Sequence, residues 1–259
     1  MRTSSVVPLT LIVVAALAGC SGGGGAVIEQ PVPPVTGDPV VYVAIGASET
    51  AGVGTQDPFT QAWPKVLWRT SLPDAVLYDL GRPGSTLAEA ISEQLSQAVA
   101  LEPDIVTVWL NVNDLASGVT AETYRQELTF LLTQLTADGS TTVLVATTPR
   151  IDSLPIYLAC RPNPPVDAPV CPAPDIAFPA PRQVRAAVES YNRAIEQVAA
   201  RTGAVVVDLQ AYGDAPSTHP EWIADDGFHP SAEGAKAIAD AFAQEIPVEV
   251  ANAASSATP

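Results

Sequence analysis

Short apolar runs rich in Val, Ile and Leu recur between residues 40 and 209, and polar or glycine-rich positions follow each of them. Runs of this length that are apolar at nearly every position are typical of strands covered on both faces, as in parallel sheets. The pattern therefore predicts five strands, at Val40–Ile45, Ala75–Leu80, Ile105–Leu110, Thr142–Thr147 and Ala204–Leu209.

Segments of helical length separate these strands. In the segment 121–137, Tyr124, Leu128, Leu131 and Leu135 recur at the spacing of one helix face. The predicted helices cover about residues 60–71, 86–101, 121–137, 183–202 and 231–246. This alternation predicts an α/β domain in which helices cover both faces of a doubly wound, five-stranded parallel sheet.

Both ends of the chain lie outside this alternation. The apolar run Val6–Leu17, which follows Arg2, is shorter than the roughly 20 residues that span a bilayer, and it is typical of a signal peptide. The predicted organisation is a leader at 1–19, a Gly/Pro-rich tether at 20–38, a domain at 39–247 and a disordered tail at 248–259.

The end of the leader, Leu17-Ala18-Gly19-Cys20, resembles the bacterial lipobox. The resemblance implies that the leader is cleaved before Cys20 and that Cys20 then carries lipid. An ordinary cleaved signal with an incidental cysteine is the alternative. Acyl chains at the N-terminus would hold the protein on a membrane of the cell envelope without a transmembrane helix.

The charge balance limits the choice of partners. The chain has 28 acidic and 12 basic residues, a formal net charge of −16. Loss of Arg2 with the leader would make the mature protein more acidic by one charge. Such a surface disfavours nucleic acid and anionic headgroups, so we expect no nucleic-acid partner. We also expect the protein to be a monomer.

A Pro-rich segment, 149–181, interrupts the alternation of strands and helices, and it contains Cys160 and Cys171. In the oxidising compartment that export implies, the two cysteines are expected to form a disulfide, with two free thiols as the alternative. No histidine lies near them in sequence, so a metal site is not expected. The segment is either a lid or binding wall, or an exposed ornament.

Four polar or glycine-rich clusters follow the predicted strands. Ser48 comes after the first strand, 81–85 after the second, 111–114 after the third, and Asp226 with His229 after the fifth. In doubly wound sheets, ligands bind beyond the carboxyl ends of the strands. A serine, a histidine and an aspartate gathered there would supply a nucleophile, a base and an orienting carboxylate.

The chain has two histidines, so His219 is the alternative base. The residue three positions before His219 is Pro216, whereas Asp226 precedes His229 by three, close enough for a turn to bring its carboxylate to the imidazole. This spacing favours His229. Asp225 is a weaker alternative to Asp226, because it is one residue further away.

The four clusters resemble the sequence blocks of the SGNH/GDSL hydrolase family over about residues 40–247. The first block, Gly-Asp-Ser-Leu, is matched by Gly46-Ala47-Ser48-Glu49. The second is matched at Gly84, the third by Asn113 in Asn111-Val112-Asn113-Asp114, and the last, Asp-x-x-His, by Asp226 and His229.

This resemblance implies a three-layer, flavodoxin-like fold and hydrolysis of carboxylic esters through an acyl-enzyme on Ser48. By the same resemblance, His229 and Asp226 complete the catalytic set, and the oxyanion is bound by the Ser48 and Gly84 amides and the Asn113 side chain. Short acyl, lipid and acetylated-glycan esters are the expected substrates, and neither a cofactor nor a metal is implied.

Three positions depart from the family blocks. Ala47 replaces the aspartate before the serine, Glu49 replaces an apolar residue after it, and Asn111 replaces a glycine. None of these changes removes a catalytic atom. They nevertheless leave open a second hypothesis, a ligand-binding surface lipoprotein that keeps the fold and the site without turnover.

Overall fold

The computed structural model describes residues 38–255, and at their centre lies a sheet of five parallel strands. The strands are β1 (Val41–Gly46), β2 (Val76–Asp79), β3 (Ile105–Trp109), β4 (Thr142–Ala146) and β5 (Val205–Val207). Their order is β2-β1-β3-β4-β5, and every neighbouring pair is parallel. The predicted α/β fold is confirmed, and each predicted strand end lies within about two residues of the observed one.

Helices lie in each connection between successive strands, and further helices follow the last strand. They are α1 (Pro58–Gln61), α2 (Trp63–Ser71), α3 (Leu87–Glu93), α4 (Leu95–Ala100), α5 (Val112–Ala116), α6 (Ala121–Leu135), α7 (Pro155–Cys160), α8 (Pro181–Thr202), α9 (Ala215–Thr218), α10 (Ala232–Glu245) and α11 (Val248–Ala253). Two predicted helices are each divided in two, at Ala62 and at Gln94.

The sheet is buried on both faces, because successive side chains of a strand point to opposite sides. On β1, Val43 and Ile45 pack in one apolar cluster with residues of α3, α4, α6 and α8. Tyr42 and Ala44 pack in a second cluster with residues of α2 and α10. The domain therefore has three layers, and the continuous apolar character of the strands follows from this double burial.

The strand order places one crevice at the carboxyl end of the sheet. From β1 the chain crosses to β2 on one side and then to β3 on the other, so the connections leave β1 and β3 in opposite directions. Such a switch point is where doubly wound sheets bind their ligands. Ser48 lies in the loop after β1, and Asn113 lies in α5, the short helix after β3, so both residues are placed at this crevice.

The segment 149–181 folds against the body of the domain. Tyr157 packs with Val184 and Val188 of α8, and its hydroxyl donates to the Pro179 carbonyl at 2.8 Å. The predicted disulfide between Cys160 and Cys171 is present, with the two Cα atoms 4.8 Å apart.

The disordered tail predicted for 248–259 is wrong for the part that the structure describes. Residues up to 253 form α11, and Val250 and Ala251 pack on the second cluster. Ala254 is fully buried, and its carbonyl accepts a hydrogen bond from Asp74 N–H at 2.9 Å. Tertiary packing therefore orders a segment whose small residues locally suggest none.

Several sequence-based expectations fall outside the described residues. These are the leader at 1–19, the lipid site at Cys20, nearly all of the tether at 20–38, and the last four residues. Between residues 38 and 255, no helix has both the length and the apolar composition needed to cross a membrane.

Candidate active site

The loop after β1 turns sharply at Ser48. The Ser48 carbonyl accepts a hydrogen bond from Val53 N–H at 2.9 Å. A Cβ on Gly46 would lie 1.9 Å from Thr50 Oγ1, so the turn requires glycine at the end of the strand. This local structure fixes Ser48 at the carboxyl end of β1, where it is 6% exposed.

The hydroxyl of Ser48 donates a hydrogen bond to the neighbouring carboxylate. Its Oγ lies 3.3 Å from Glu49 Oε2. Burial raises the pKa of Glu49, while its own backbone, the charge of His229 and the bond from Ser48 act in the opposite direction. Ser48, Glu49 and His229 therefore share one electrostatic environment.

His229 is fixed by Asp226 through three hydrogen bonds. His229 Nδ1 lies 2.6 Å from Asp226 Oδ2, and Asp226 Oδ1 accepts from the backbone N–H groups of Phe228 and His229 at 2.8 and 2.9 Å. Partial burial opposes ionisation of Asp226, but these bonds outweigh it and lower its pKa. An ionised Asp226 accepts a hydrogen bond from Nδ1–H of His229, which leaves Nε2 as the nitrogen that can accept a proton.

The loops that carry Ser48 and His229 touch at Gly54. Gly54 has φ +97°, and a Cβ there would lie 2.7 Å from His229 Cβ and 2.6 Å from the Pro230 carbonyl oxygen. Only glycine combines this backbone conformation with this close approach. The sequence shows Gly54 in the first motif, but nothing local indicates its contact with the base.

The alternative base, His219, also has a carboxylate partner. Its Nδ1 lies 3.0 Å from Glu221 Oε1, and its ring stacks on Trp222 with the centroids 4.2 Å apart. The spacing argument, which considered only the position before His219, missed Glu221. It is nevertheless His229 that contacts the loop of Ser48, at Gly54. Asp225, the alternative carboxylate, is exposed like Asp226, but the carboxylate that bonds the imidazole of His229 is that of Asp226.

Two of the predicted oxyanion donors meet at the loop after β2: Gly84 lies in this loop, and Asn113 bonds to it. Gly84 has φ +85°, with no atom within 4 Å of a Cβ built on it, so backbone conformation rather than crowding favours glycine there. The Asn113 side chain donates to the Ser85 carbonyl at 2.9 Å. One N–H of its amide is thereby engaged, and the amide has a second N–H to offer.

Gln94 connects this loop to the strand that precedes the serine. Its Oε1 accepts from Gly46 N–H at 3.1 Å, and its Nε2 donates to the Gly46 carbonyl at 3.0 Å and to Ser85 Oγ at 3.3 Å. Gln94 is 1% exposed and marks the break between α3 and α4. A polar residue inside a predicted helix was the only signal for it in the sequence.

Asp114 fixes the start of α3 from the opposite side. Both of its carboxylate oxygens accept from Leu87 N–H at 3.1 Å, and the residue is fully buried. Burial raises the pKa of Asp114 to about 6, although the bond from Leu87 opposes the shift. Asp114 therefore links α5, which carries Asn113, to α3, the helix that follows Gly84.

The two remaining departures from the family blocks are buried. Ala47 is 3% exposed and packs in the apolar cluster of Val43 and Ile45, where the family's aspartate would add a charge. Asn111 donates to the Ala146 carbonyl at 3.4 Å, and among the described residues its Oδ1 has no hydrogen-bond partner.

A mostly apolar pocket of about 110 Å³ opens beside Glu49. One wall comes from the start of the segment 149–181, which faces the pocket with Pro149, Arg150, Ile151, Ser153 and Leu154. The other lining side chains are mainly aromatic or aliphatic, and include Trp109, Tyr212, Trp222 and Phe228. Within residues 38–255, no group of three or more His, Cys, Asp or Glu side chains is placed to bind a metal ion.

One family model matches the chain. The model of the GDSL-like lipase/acylhydrolase family matches residues 44–237, which include Ser48, Gly84, Asn113, Asp226 and His229. No curated protein sequence matches the chain.

Solved structures share the fold at low sequence identity. A lipase/acylhydrolase from Enterococcus faecalis aligns with a TM-score of 0.57 and 21% identity, covering 80% of this chain and 95% of that one. The esterase EstA from Pseudoalteromonas sp. aligns with a TM-score of 0.57 and 17% identity over 79% and 95%. A variant of Axe2, an acetyl-xylooligosaccharide esterase from Geobacillus stearmophilus, aligns with a TM-score of 0.57 and 20% identity over 80% and 93%.

Proposed function

Because the chain belongs to the GDSL-like lipase/acylhydrolase family and is an ester-hydrolysing enzyme, we propose that it is a serine esterase that forms an acyl-enzyme on Ser48. One observation carries this proposal. The hydrogen-bonded pair of Asp226 and His229 packs, through Gly54, directly against the loop that presents Ser48. A serine becomes a competent nucleophile when such a base accepts its proton.

In the proposed mechanism, Ser48 Oγ attacks the ester carbonyl while Nε2 of His229 takes the hydroxyl proton. The carbonyl oxygen becomes an oxyanion, and the imidazolium is stabilised by the ionised Asp226. Collapse breaks the bond to the alcohol, which leaves with the proton from His229. Water then attacks the acyl-enzyme by the same route and restores Ser48.

The backbone N–H groups of Ser48 and Gly84 and the second N–H of Asn113 are the proposed donors to the oxyanion. The hydrogen bond that Gln94 donates to Gly46 and the one that Asp114 accepts from Leu87 orient the segments that carry these donors before substrate arrives. Preorganised donors act without reorganisation during the reaction, and losing one typically costs about 2.7–4 kcal/mol of transition-state stabilisation.

The substrates we propose are carboxylic esters with an apolar portion. The pocket beside Glu49 is lined mainly by apolar and aromatic side chains, which supports an apolar group more than a bare sugar. Short acyl and lipid esters therefore precede acetylated glycans, although Axe2, which shares the fold, is an esterase of acetylated xylooligosaccharides.

We also propose that the enzyme is lipid-anchored through Cys20 at the cell envelope. The support is the sequence alone: an apolar leader followed by Leu17-Ala18-Gly19-Cys20. Mass spectrometry of the mature N-terminus should find diacylglycerol and acyl groups on Cys20, and Cys20→Ser should release the protein from membranes. An unmodified Cys20 in the mature protein contradicts the proposal.

Labelling with a fluorophosphonate tests the mechanism directly. The wild-type protein should be labelled at Ser48 and should release p-nitrophenol from its butyrate ester, and Ser48→Ala should abolish both. Ser92→Ala is the matched control, because Ser92 lies on α3 and bonds only the Glu89 carbonyl of its own helix. Full turnover by Ser48→Ala would refute the acyl-enzyme.

A further inference from the structure

The pocket beside Glu49 combines one carboxylate with several aromatic rings. Glu49 lines it next to the nucleophile, and the rings belong to Trp109, Tyr212, Trp222 and Phe228. We propose that this pocket binds the cationic group of an ester whose alcohol carries an alkylated ammonium, with Glu49 as its anionic contact. The inference rests on the proposed function, since it identifies the alcohol that the same site releases.

Glu49 forms no ion pair within residues 38–255, although the charge of His229 acts to lower its pKa. Within residues 38–255 its side-chain hydrogen bond comes from the neutral Ser48 hydroxyl, and none of the ion pairs there includes it. Burial of such a group disfavours its charged form, and the pKa of Glu49 is raised for this reason. A bound cation would offset that cost without adding a positive side chain to the protein.

The one arginine on the pocket wall is already paired. Arg150 lies 3.1 Å from Asp214 and 3.5 Å from Asp152, and Asp152 also binds Arg185 at 2.9 Å. Two carboxylates therefore share the positive charge of Arg150, so it does not compensate Glu49. Among the side chains that line the pocket, Glu49 is therefore an acidic group without an ion-pair partner.

The position of the pocket assigns the cation to the alcohol rather than to the acyl group. Phe228 and Pro230, the residues on either side of His229, both line the pocket, whereas among the neighbours of Gly84 and Asn113 only Val112 does so. The leaving alcohol receives its proton from His229, so it must lie on the side of the base. The acyl oxygen lies on the side of the oxyanion donors.

The aromatic walls and the overall charge agree with this assignment. Alkylated ammonium groups bind on the faces of Trp, Tyr and Phe, because the ring quadrupole attracts a cation whose alkyl shell is easily desolvated. The chain carries a formal net charge of −16, which steers cationic substrates toward the protein. Glu49 also stands where the family block has an apolar residue, so the charge is particular to this site.

The test compares butyrylcholine with 3,3-dimethylbutyl butyrate, its uncharged carbon isostere. We expect the wild-type ratio of kcat/KM, choline ester to isostere, to be about tenfold or more. Glu49→Gln preserves size and hydrogen bonding and should lower this ratio about tenfold. Tyr212→Leu, which removes a half-exposed ring, should lower it severalfold. Glu189→Gln, an equal charge change on the exposed face of α8, should leave it unchanged.

Binding to Ser48→Ala, measured by calorimetry, separates this inference from the proposed function. The variant should bind butyrylcholine more tightly than the isostere, and the preference should disappear in Ser48→Ala with Glu49→Gln. A wild-type ratio near one, equal binding of the two esters, or a ratio that Glu49→Gln leaves intact would overturn the inference. Loss of hydrolysis of both esters with preserved preference in binding would instead contradict only the proposed function.

Discussion

The side-chain amide of Gln94 forms hydrogen bonds to both backbone polar groups of Gly46, across 48 positions of sequence, at 3.1 and 3.0 Å. Gly46 is the last residue of β1 and lies two positions before Ser48. The third bond of Gln94, to Ser85, extends the same connection to the loop after β2. One buried side chain therefore sets the relative position of the nucleophile and the proposed oxyanion loop.

Gln94→Leu should lower both stability and turnover. It leaves the Gly46 N–H and carbonyl buried without partners, at about 1–3 kcal/mol for each group. Thermal unfolding should therefore shift to lower temperature, and kcat for a p-nitrophenyl ester should fall more than KM changes. Gln97→Leu, on the exposed side of α4, is the control and should change neither. An unaltered melting temperature in Gln94→Leu would show that the three bonds are not needed.

The contact between Gly54 and His229 gives a second prediction, which separates the effect of backbone strain from the effect of a steric clash. Gly54→Ala adds a Cβ 2.7 Å from His229 Cβ and should displace the base, with kcat falling by about 10²-fold. Gly118→Ala imposes a similar backbone strain, at φ +73°, with open space around the new Cβ. It should cost stability of roughly 1 kcal/mol but leave kcat intact. Equal activity losses in the two variants would refute the role of the contact.

Most of the fold could be predicted because the sheet is buried on both faces. Double burial makes each strand continuously apolar, and this local signal located all five strands to within about two residues. The helix α11 near the C-terminus could not be predicted in this way. The small residues of α11 have no strong local pattern, and the helix forms because Val250 and Ala251 find an apolar surface on the domain.

The positions of Ser48, Asn113 and His229 at one sheet edge followed from strand order, since each comes after a recognisable strand or turn motif. What the sequence did not reveal are the connections between those loops. Gln94 bonds Gly46, and Gly54 contacts His229. Both partners are far away in sequence, so no local spacing encodes these contacts. The aromatic pocket is likewise assembled from distant segments.

Asp114 should make stability depend on pH in an unusual direction. Its pKa in the folded protein is about 6, above the ordinary value of 3.8, so protonation favours the folded state. The contribution of Asp114 is fully present below about pH 4 and is lost as the pH rises through about 6, with a total near 2–3 kcal/mol.

Asp114→Asn removes this titration while keeping an acceptor for Leu87 N–H. The free energy of unfolding of the variant minus that of the wild type should therefore rise between pH 4 and pH 7. Asp138→Asn, an exposed loop substitution, lacks that trend and serves as the control. A difference that is constant across this range would contradict a raised pKa for Asp114.

The hydrogen bond between Asp226 and His229 allows a direct test of which histidine is the catalytic base. Asp226→Asn keeps the shape of the side chain but donates rather than accepts at Nδ1, which favours the tautomer that cannot take the Ser48 proton. We expect kcat to fall by about 10²–10⁴-fold with little change in KM. Asp225→Asn, the exposed neighbour, and His219→Ala, which loses only the contacts with Glu221 and Trp222, should each retain kcat within about twofold of the wild type. A collapse of kcat in His219→Ala together with an active Asp226→Asn would assign the base to the other histidine.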